Sequence, residues 1–111
     1  MRISLIVLYC SDLEAAHHLY GDVLGLPLVP EQHGDGPVHY SATLDDGMVI
    51  ELYPCGDQPP TRTRLALQLP HIGPAADAAK AAGYVVRPQK FGVLVTGPDG
   101  VRVELRGVPE A

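Results

Sequence analysis

The sequence predicts an α+β fold built from two tandem βαβββ modules. Three observations carry that prediction. A strand-like heptapeptide occurs twice, as Asp46–Leu52 (DGMVIEL) and Asp99–Leu105 (DGVRVEL), at an offset of 53 residues. Two helical patterns each stop at a glycine, Gly25 and Gly83. Between them, apolar and polar residues alternate with the period of a strand. A chain of 111 residues with two self-similar halves fits a single domain, 1–111, with modules at about 1–54 and 62–107 and a linker at about 54–61.

The elements follow in order. Ile3 to Tyr9 is rich in β-branched and aromatic residues and reads as a strand. Ser11-Asp12-Leu13-Glu14 is a capping-box pattern, with Ser11 or Asp12 as N-cap. Leu13, Ala16, Tyr20 and Leu24 then recur at helical spacing up to Gly25, which sits where a left-handed C-terminal glycine belongs. Leu26 to Val29 reads as a short strand and Glu31 to Gly36 as a polar loop. Val38 to Leu44, the Asp45-Asp46-Gly47 turn and Met48 to Tyr53 complete the first module. Pro54 to Thr61 is proline-rich and polar, as a linker is. Arg64 to Leu69 is a strand with Leu65, Leu67 and Leu69 on one face. Ile72 to Ala82 is an alanine-rich helix stopped by Gly83. Tyr84 to Arg87, Phe91 to Thr96 and Val101 to Arg106 are three further strands.

Alternation assigns the faces. Ile50 and Leu52 share one face of their strand, and Val49, Glu51 and Tyr53 the other. Val103 and Leu105 oppose Arg102, Glu104 and Arg106. Arg64, Ala66 and Gln68 oppose the leucines of their strand. His39, Ser41 and Thr43 oppose Tyr40 and Ala42. The apolar faces fit under the helices. The mixed faces form polar-lined concave sides of mixed sheets, a ready cleft for a small molecule.

Charge narrows the function classes. The net charge of −5 argues against a nucleic-acid partner. Residues 1–57 carry a net −8 and residues 58–111 a net +3, so the halves are electrostatically complementary, within the chain or across a dimer. A homodimer is expected, since so small a domain hides its apolar surface poorly alone. No apolar run is long enough to span a membrane, and the first residues do not read as a signal peptide. Cys10 and Cys55 are expected as reduced thiols in a cytoplasmic protein.

The opening strand into Cys10-Ser11-Asp12-Leu13-Glu14-Ala15, Leu19-Tyr20, Val23-Leu24-Gly25-Leu26, Glu51-Leu52-Tyr53-Pro54, and Pro98-Asp99-Gly100 with Val103-Glu104-Leu105 together resemble the vicinal oxygen chelate superfamily. That group includes glyoxalase I, extradiol dioxygenases, fosfomycin-resistance enzymes and bleomycin-binding proteins. The resemblance covers almost the whole chain and implies the glyoxalase-like fold. Its metal-dependent members draw two histidines or glutamines from the first strand of each module and two glutamates from the last. Glu51 and Glu104 stand at the glutamate positions. Leu5 and Arg64 stand at the other two. Leucine has no lone pair, and arginine is a permanent cation with donors only. The resemblance therefore implies no family-type metal and no cofactor. Arg64 replaces the cation and is expected within ion-pair distance of Glu51 or Glu104, while Arg87 is expected as an ordinary surface residue.

The leading expectation is a metal-independent small-molecule binding protein of the bleomycin-resistance kind. Its cup is lined by Leu5, Val7, Tyr9, His39, Glu51, Tyr53, Arg64, Arg102 and Glu104. With few aromatic residues for stacking, the ligand is expected to be small and polar or cationic, drawn by the glutamates. The alternative is a lyase or isomerase of the glyoxalase (lactoylglutathione lyase-like) type, with Glu51 or Glu104 as general base. A third reading is a structural or regulatory dimer without a pocket. His17, His18, His33 and His71 are expected on the surface, and His39 on the cup side of its strand.

Overall fold

A computed structural model describes residues 1–107. Each half folds as β-α-β-β-β, and each βαβββ module makes its own four-stranded mixed sheet. The chain divides into two units, Met1–Thr61 and the part from Arg62 onward.

In the first unit β1 spans Leu5–Cys10. Asp12 caps the helix that follows by accepting from the Ala15 backbone N–H at 3.0 Å. This helix, α1 (Leu13–His17), does not run on as regular α-helix to Gly25. It widens into a π-helical stretch, His18–Val23, with the Leu24 N–H bonded to the Leu19 carbonyl at 2.9 Å. The wider turn places Leu19, Tyr20 and Leu24 all in the core. Gly25 closes it at φ +86°, the conformation its sequence position demands. The short strand comes later than the sequence suggested. Leu28 N–H turns back to the Leu26 carbonyl at 2.8 Å, so β2 begins only at Val29 and covers Val29–Glu31.

β3 (His39–Thr43) and β4 (Val49–Pro54) are joined by the Asp-Gly turn, with Gly47 at φ +87° and Asp46 Oδ1 accepting from the Met48 N–H at 3.0 Å. The strand order is β1-β4-β3-β2, with β1 parallel to β4 and the other pairs antiparallel. Ile50 and Leu52 are buried, as their alternation requires. The segment taken as a linker is held against β1. Thr61 N–H donates to the Tyr9 carbonyl at 2.8 Å and Thr61 Oγ1 accepts from the Tyr9 N–H at 3.1 Å. No disulfide joins Cys10 and Cys55.

The second unit repeats the plan with β5 (Arg64–Leu69), α2 (Ile72–Ala81), β6 (Val85–Gln89), β7 (Gly92–Thr96) and β8 (Arg102–Gly107), in sheet order β5-β8-β7-β6. Ala76 and Ala79 of α2, Val95, Val103 and Leu105 form its core. Small alanine faces let the helix lie close on the sheet. Among the described residues, no helix is long and apolar enough to cross a membrane.

Candidate functional site

Each sheet has one face turned away from its helix, and the expected site residues lie there. In the first unit Tyr40, whose hydroxyl donates to Glu14 of α1 at 2.7 Å, marks the helix side. The register sets the opposite face. Val7 pairs with Glu51, Tyr9 with Tyr53, Ser41 with Glu51 and His39 with Glu31. Directly paired residues point the same way, so Leu5, Val7, Tyr9, His39, Glu51 and Tyr53 share one face. Tyr9 and Tyr53 approach with ring centroids 6.3 Å apart.

His39 is the centre of this face. It is 1% exposed and stacks flat on Tyr53, with centroids 4.0 Å apart and planes at 12°. Its Nδ1 lies 3.2 Å from the Pro37 carbonyl oxygen, which can only accept, so this contact is made by the Nδ1–H form of the ring. Nε2 then faces Glu31 Oε2 at 3.4 Å and Glu51 Oε2 at 3.6 Å and makes no hydrogen bond. His33, expected as a surface residue, is exposed but reaches back to the same Glu31 oxygen at 3.5 Å. Burial first, then the negative charge of Glu51 and Glu31, raises the Tyr53 phenol above its ordinary value. Glu31 and His33 were not legible as site residues, because the 31–36 loop shows no periodicity that aims its side chains.

In the second unit, α2 packs on the Val103–Leu105 side, and the other face is dominated by arginine. Arg64 Nε donates to Glu104 Oε2 at 3.1 Å, and Arg106 Nη2 donates to Glu104 Oε1 at 3.1 Å. The ion pair expected of Arg64 is therefore formed with Glu104. It is not a buried pair. Arg64 is 50% exposed and Glu104 18%, so solvent screens the pair and its net contribution to stability is small. The hydrogen bonds from Arg106 and Arg64 hold the Glu104 carboxyl below the usual carboxylate range.

The sign of this linkage is testable. A carboxyl whose native pKa is lowered stabilises above its unfolded pKa and loses that contribution as pH falls through the native one. Any stability gap between wild type and Glu104→Gln should be fully open at neutral pH. It should close below the ordinary glutamate range, as read from denaturant midpoints across an acid series. A gap that widens on acidification would contradict the assignment.

A cavity of about 750 Å³ opens on this face, and four arginines line it: Arg62, Arg64, Arg87 and Arg102. Arg64 and Arg102 are register partners on adjacent parallel strands, so two like charges stand side by side. Leu94 and Thr96 add an apolar floor and a hydroxyl. Arg87 is exposed, as expected, and also lines this cavity. The face is cationic, because the charge on Glu104 is already met twice over. Glu104, bonded to two arginines, has little left to offer a cation on this face. The spacing Arg62-x-Arg64 leading into β5, with Arg102 on the neighbouring strand, was the signal for a cationic face.

The positions expected to correspond to metal ligands do not fit a metal. Leu5 offers no donor atom, and the Arg64 guanidinium is bonded to the Glu104 carboxylate that would be needed.

Comparison with known proteins agrees with this architecture. A sequence model described as the Glyoxalase/Bleomycin resistance protein/Dioxygenase superfamily matches residues 2–105. No curated protein matches the chain significantly in sequence. Among solved structures, an antibiotic-binding protein from Streptomyces sp. CB03234 is similar at TM-score 0.76 and 20% identity, covering 98% of this chain and 97% of that one. A glyoxalase/dioxygenase from Nostoc punctiforme is similar at TM-score 0.78 and 21% identity, covering 98% and 92%. A glyoxalase/bleomycin resistance protein from Streptomyces sp. CB03234 is similar at TM-score 0.72 and 21% identity, covering 95% and 99%. At these identities the likeness concerns the fold.

Proposed function

Because the chain belongs to the Glyoxalase/Bleomycin resistance protein/Dioxygenase superfamily, we propose that it is a small-molecule binding protein of the bleomycin-resistance type whose ligand carries negative charge. The observation that carries this reading is the four-arginine cavity, with Arg64 beside Arg102 in register. Of these four arginines Glu104 meets only Arg64, so like charges remain close together, and an anionic ligand compensates them. Binding on this face needs no metal at the Leu5, Glu51, Arg64 and Glu104 positions. An antibiotic-binding protein among the similar structures supports a binder.

The test is calorimetric titration with matched small carboxylates, phosphate monoesters and amines. Anions should bind and amines should not. Glu104→Gln should tighten anion binding, since it frees Arg64 from its internal partner. Binding of amines alone, or weaker anion binding in Glu104→Gln, would refute the reading.

The alternative of a lyase or isomerase loses its case at Glu104, whose low-lying carboxyl is a poor general base at neutral pH. Glu51, next to the buried His39, is the carboxylate left for it. Glu51→Gln would abolish turnover in an enzyme of that type and leave anion binding unchanged in a binder.

We also expect a homodimer acting as a cytoplasmic protein. Leu5, Tyr9 and Val29 in the first unit, and Val85 and Phe91 in the second, leave large apolar side chains exposed. Sedimentation should show dimer at micromolar concentration and moderate salt, and monomer alone would count against it.

A further inference from the structure

We propose that the first unit holds a divalent transition-metal ion of the zinc class, bound by Glu31, His33 and His39. The site is separate from the family-type positions and involves neither Leu5 nor Arg64. The expectation of a metal-free chain rested on those two residues and does not reach this cluster. The inference goes beyond the anion-binding reading and depends on none of the arginines.

Chemistry and spacing carry it together. One donor atom from each of the three side chains lies within 4.8 Å of the others. His39 presents the decisive atom. With Nδ1–H donating to the Pro37 carbonyl, the neutral ring offers its Nε2 lone pair to an ion. A ligating histidine is normally set in this way, with its other nitrogen donating to a backbone carbonyl. That lone pair is buried, makes no hydrogen bond, and points at the carboxylate oxygens of Glu31 and Glu51. A lone pair and two carboxylates facing one another repel, and a cation among them removes the conflict.

The distances leave room for an ion among the three side chains. A proton shared by an imidazolium and a carboxylate draws the heavy atoms to about 2.7–2.9 Å. Two ligand atoms about 2.0–2.2 Å from one tetrahedral zinc ion stand about 3.3–3.5 Å apart. The observed separations are 3.4 Å for His39 to Glu31 and 3.5 Å for His33 to Glu31, and all three donor atoms lie within 4.8 Å of one another, so the two histidines need only a small closure around an ion. Two imidazoles and a carboxylate are also a donor set that zinc favours over magnesium or calcium. His39 stacked on Tyr53 is the rigid ligand. His33, 74% exposed, is the solvent-facing ligand and leaves a path for the ion to enter.

Chelator-stripped protein titrated with zinc chloride should bind one ion per chain, and zinc should raise its Tm. His33→Ala removes an exposed ligand, so its fold is spared, and it should weaken zinc binding about 100-fold or more. His39→Ala should do the same. His71→Ala, at the exposed start of α2, should change nothing, which controls for casual histidine binding. No one-to-one zinc binding, zinc affinity that survives His33→Ala, or equal loss in His71→Ala would overturn the proposal. Anion binding measured with and without zinc should be the same, so failure here is distinguishable from failure of the anion-binding reading.

Discussion

Gly92→Ala should destabilise the protein by about 3–5 kcal/mol, the largest single-site effect expected outside the apolar core. Gly92 opens β7 immediately after the Lys90-Phe91 turn, at φ +153° and paired with Arg106 of β8. A methyl group built there would run into the carbonyl oxygen of Leu105. The obstacle is backbone in the middle of β8, next to a side chain with no exposed surface, so neither partner can yield cheaply. Ile72 Cδ1 stands 3.2 Å away on the helix side and closes the other escape. Overpacking of about 1–3 kcal/mol adds to backbone strain of similar size. Against a total stability of about 5–15 kcal/mol, this leaves a marginal fold. Gly73→Ala is the matched control. Its added methyl meets nothing within 4 Å, and it lies in α2, where alanine is favoured by up to about 1 kcal/mol. Thermal melts of both variants check the pair. Equal melting temperatures would mean that β7 and β8 do not approach as described.

Arg64→Ala combined with Arg102→Ala should lower affinity for an anionic ligand about 100-fold or more while leaving the fold intact. A hydrogen bond to a charged group contributes about 1.5–3 kcal/mol, and two are removed. The fold should tolerate the change because both side chains are exposed and their mutual repulsion is relieved. The stability of the double variant should stay close to that of wild type, because relief of the repulsion is offset by loss of the exposed Arg64–Glu104 pair. Binding then changes without a matching change in stability. Unchanged affinity in calorimetry, with normal stability, would remove the arginine face from the function.

Most of the architecture was legible in the chain. The paired Asp-Gly turns at Gly47 and Gly100, the glycine stops at Gly25 and Gly83, and the buried alternation of Ile50, Leu52, Val103 and Leu105 all reflect local rules. Those rules depend on a few neighbouring residues, so the sequence carries them openly. Boundaries shifted where a short-range backbone bond departs from the regular pattern. The Leu24 N–H to Leu19 carbonyl bond widens the helix and goes with burial of Leu19, Tyr20 and Leu24, and the Leu28 N–H to Leu26 carbonyl turn delays β2.

The site divides along the same line. Sequence alone determined the faces: alternation put Glu51 with Tyr53, Glu104 with Arg102 and Arg106, and His39 on the side away from α1. It also determined that Leu5 and Arg64 cannot serve as metal ligands, since that follows from side-chain chemistry. Tertiary structure alone decided which charges meet. Register set Arg64 beside Arg102, and the fold of the 31–36 loop brought His33 to Glu31 and left Nε2 of His39 facing two carboxylates. Charge interactions act between atoms a few ångströms apart, whatever their separation along the chain. No pattern of neighbouring residues encodes that distance, so the sign of each face emerged only when the strands were aligned.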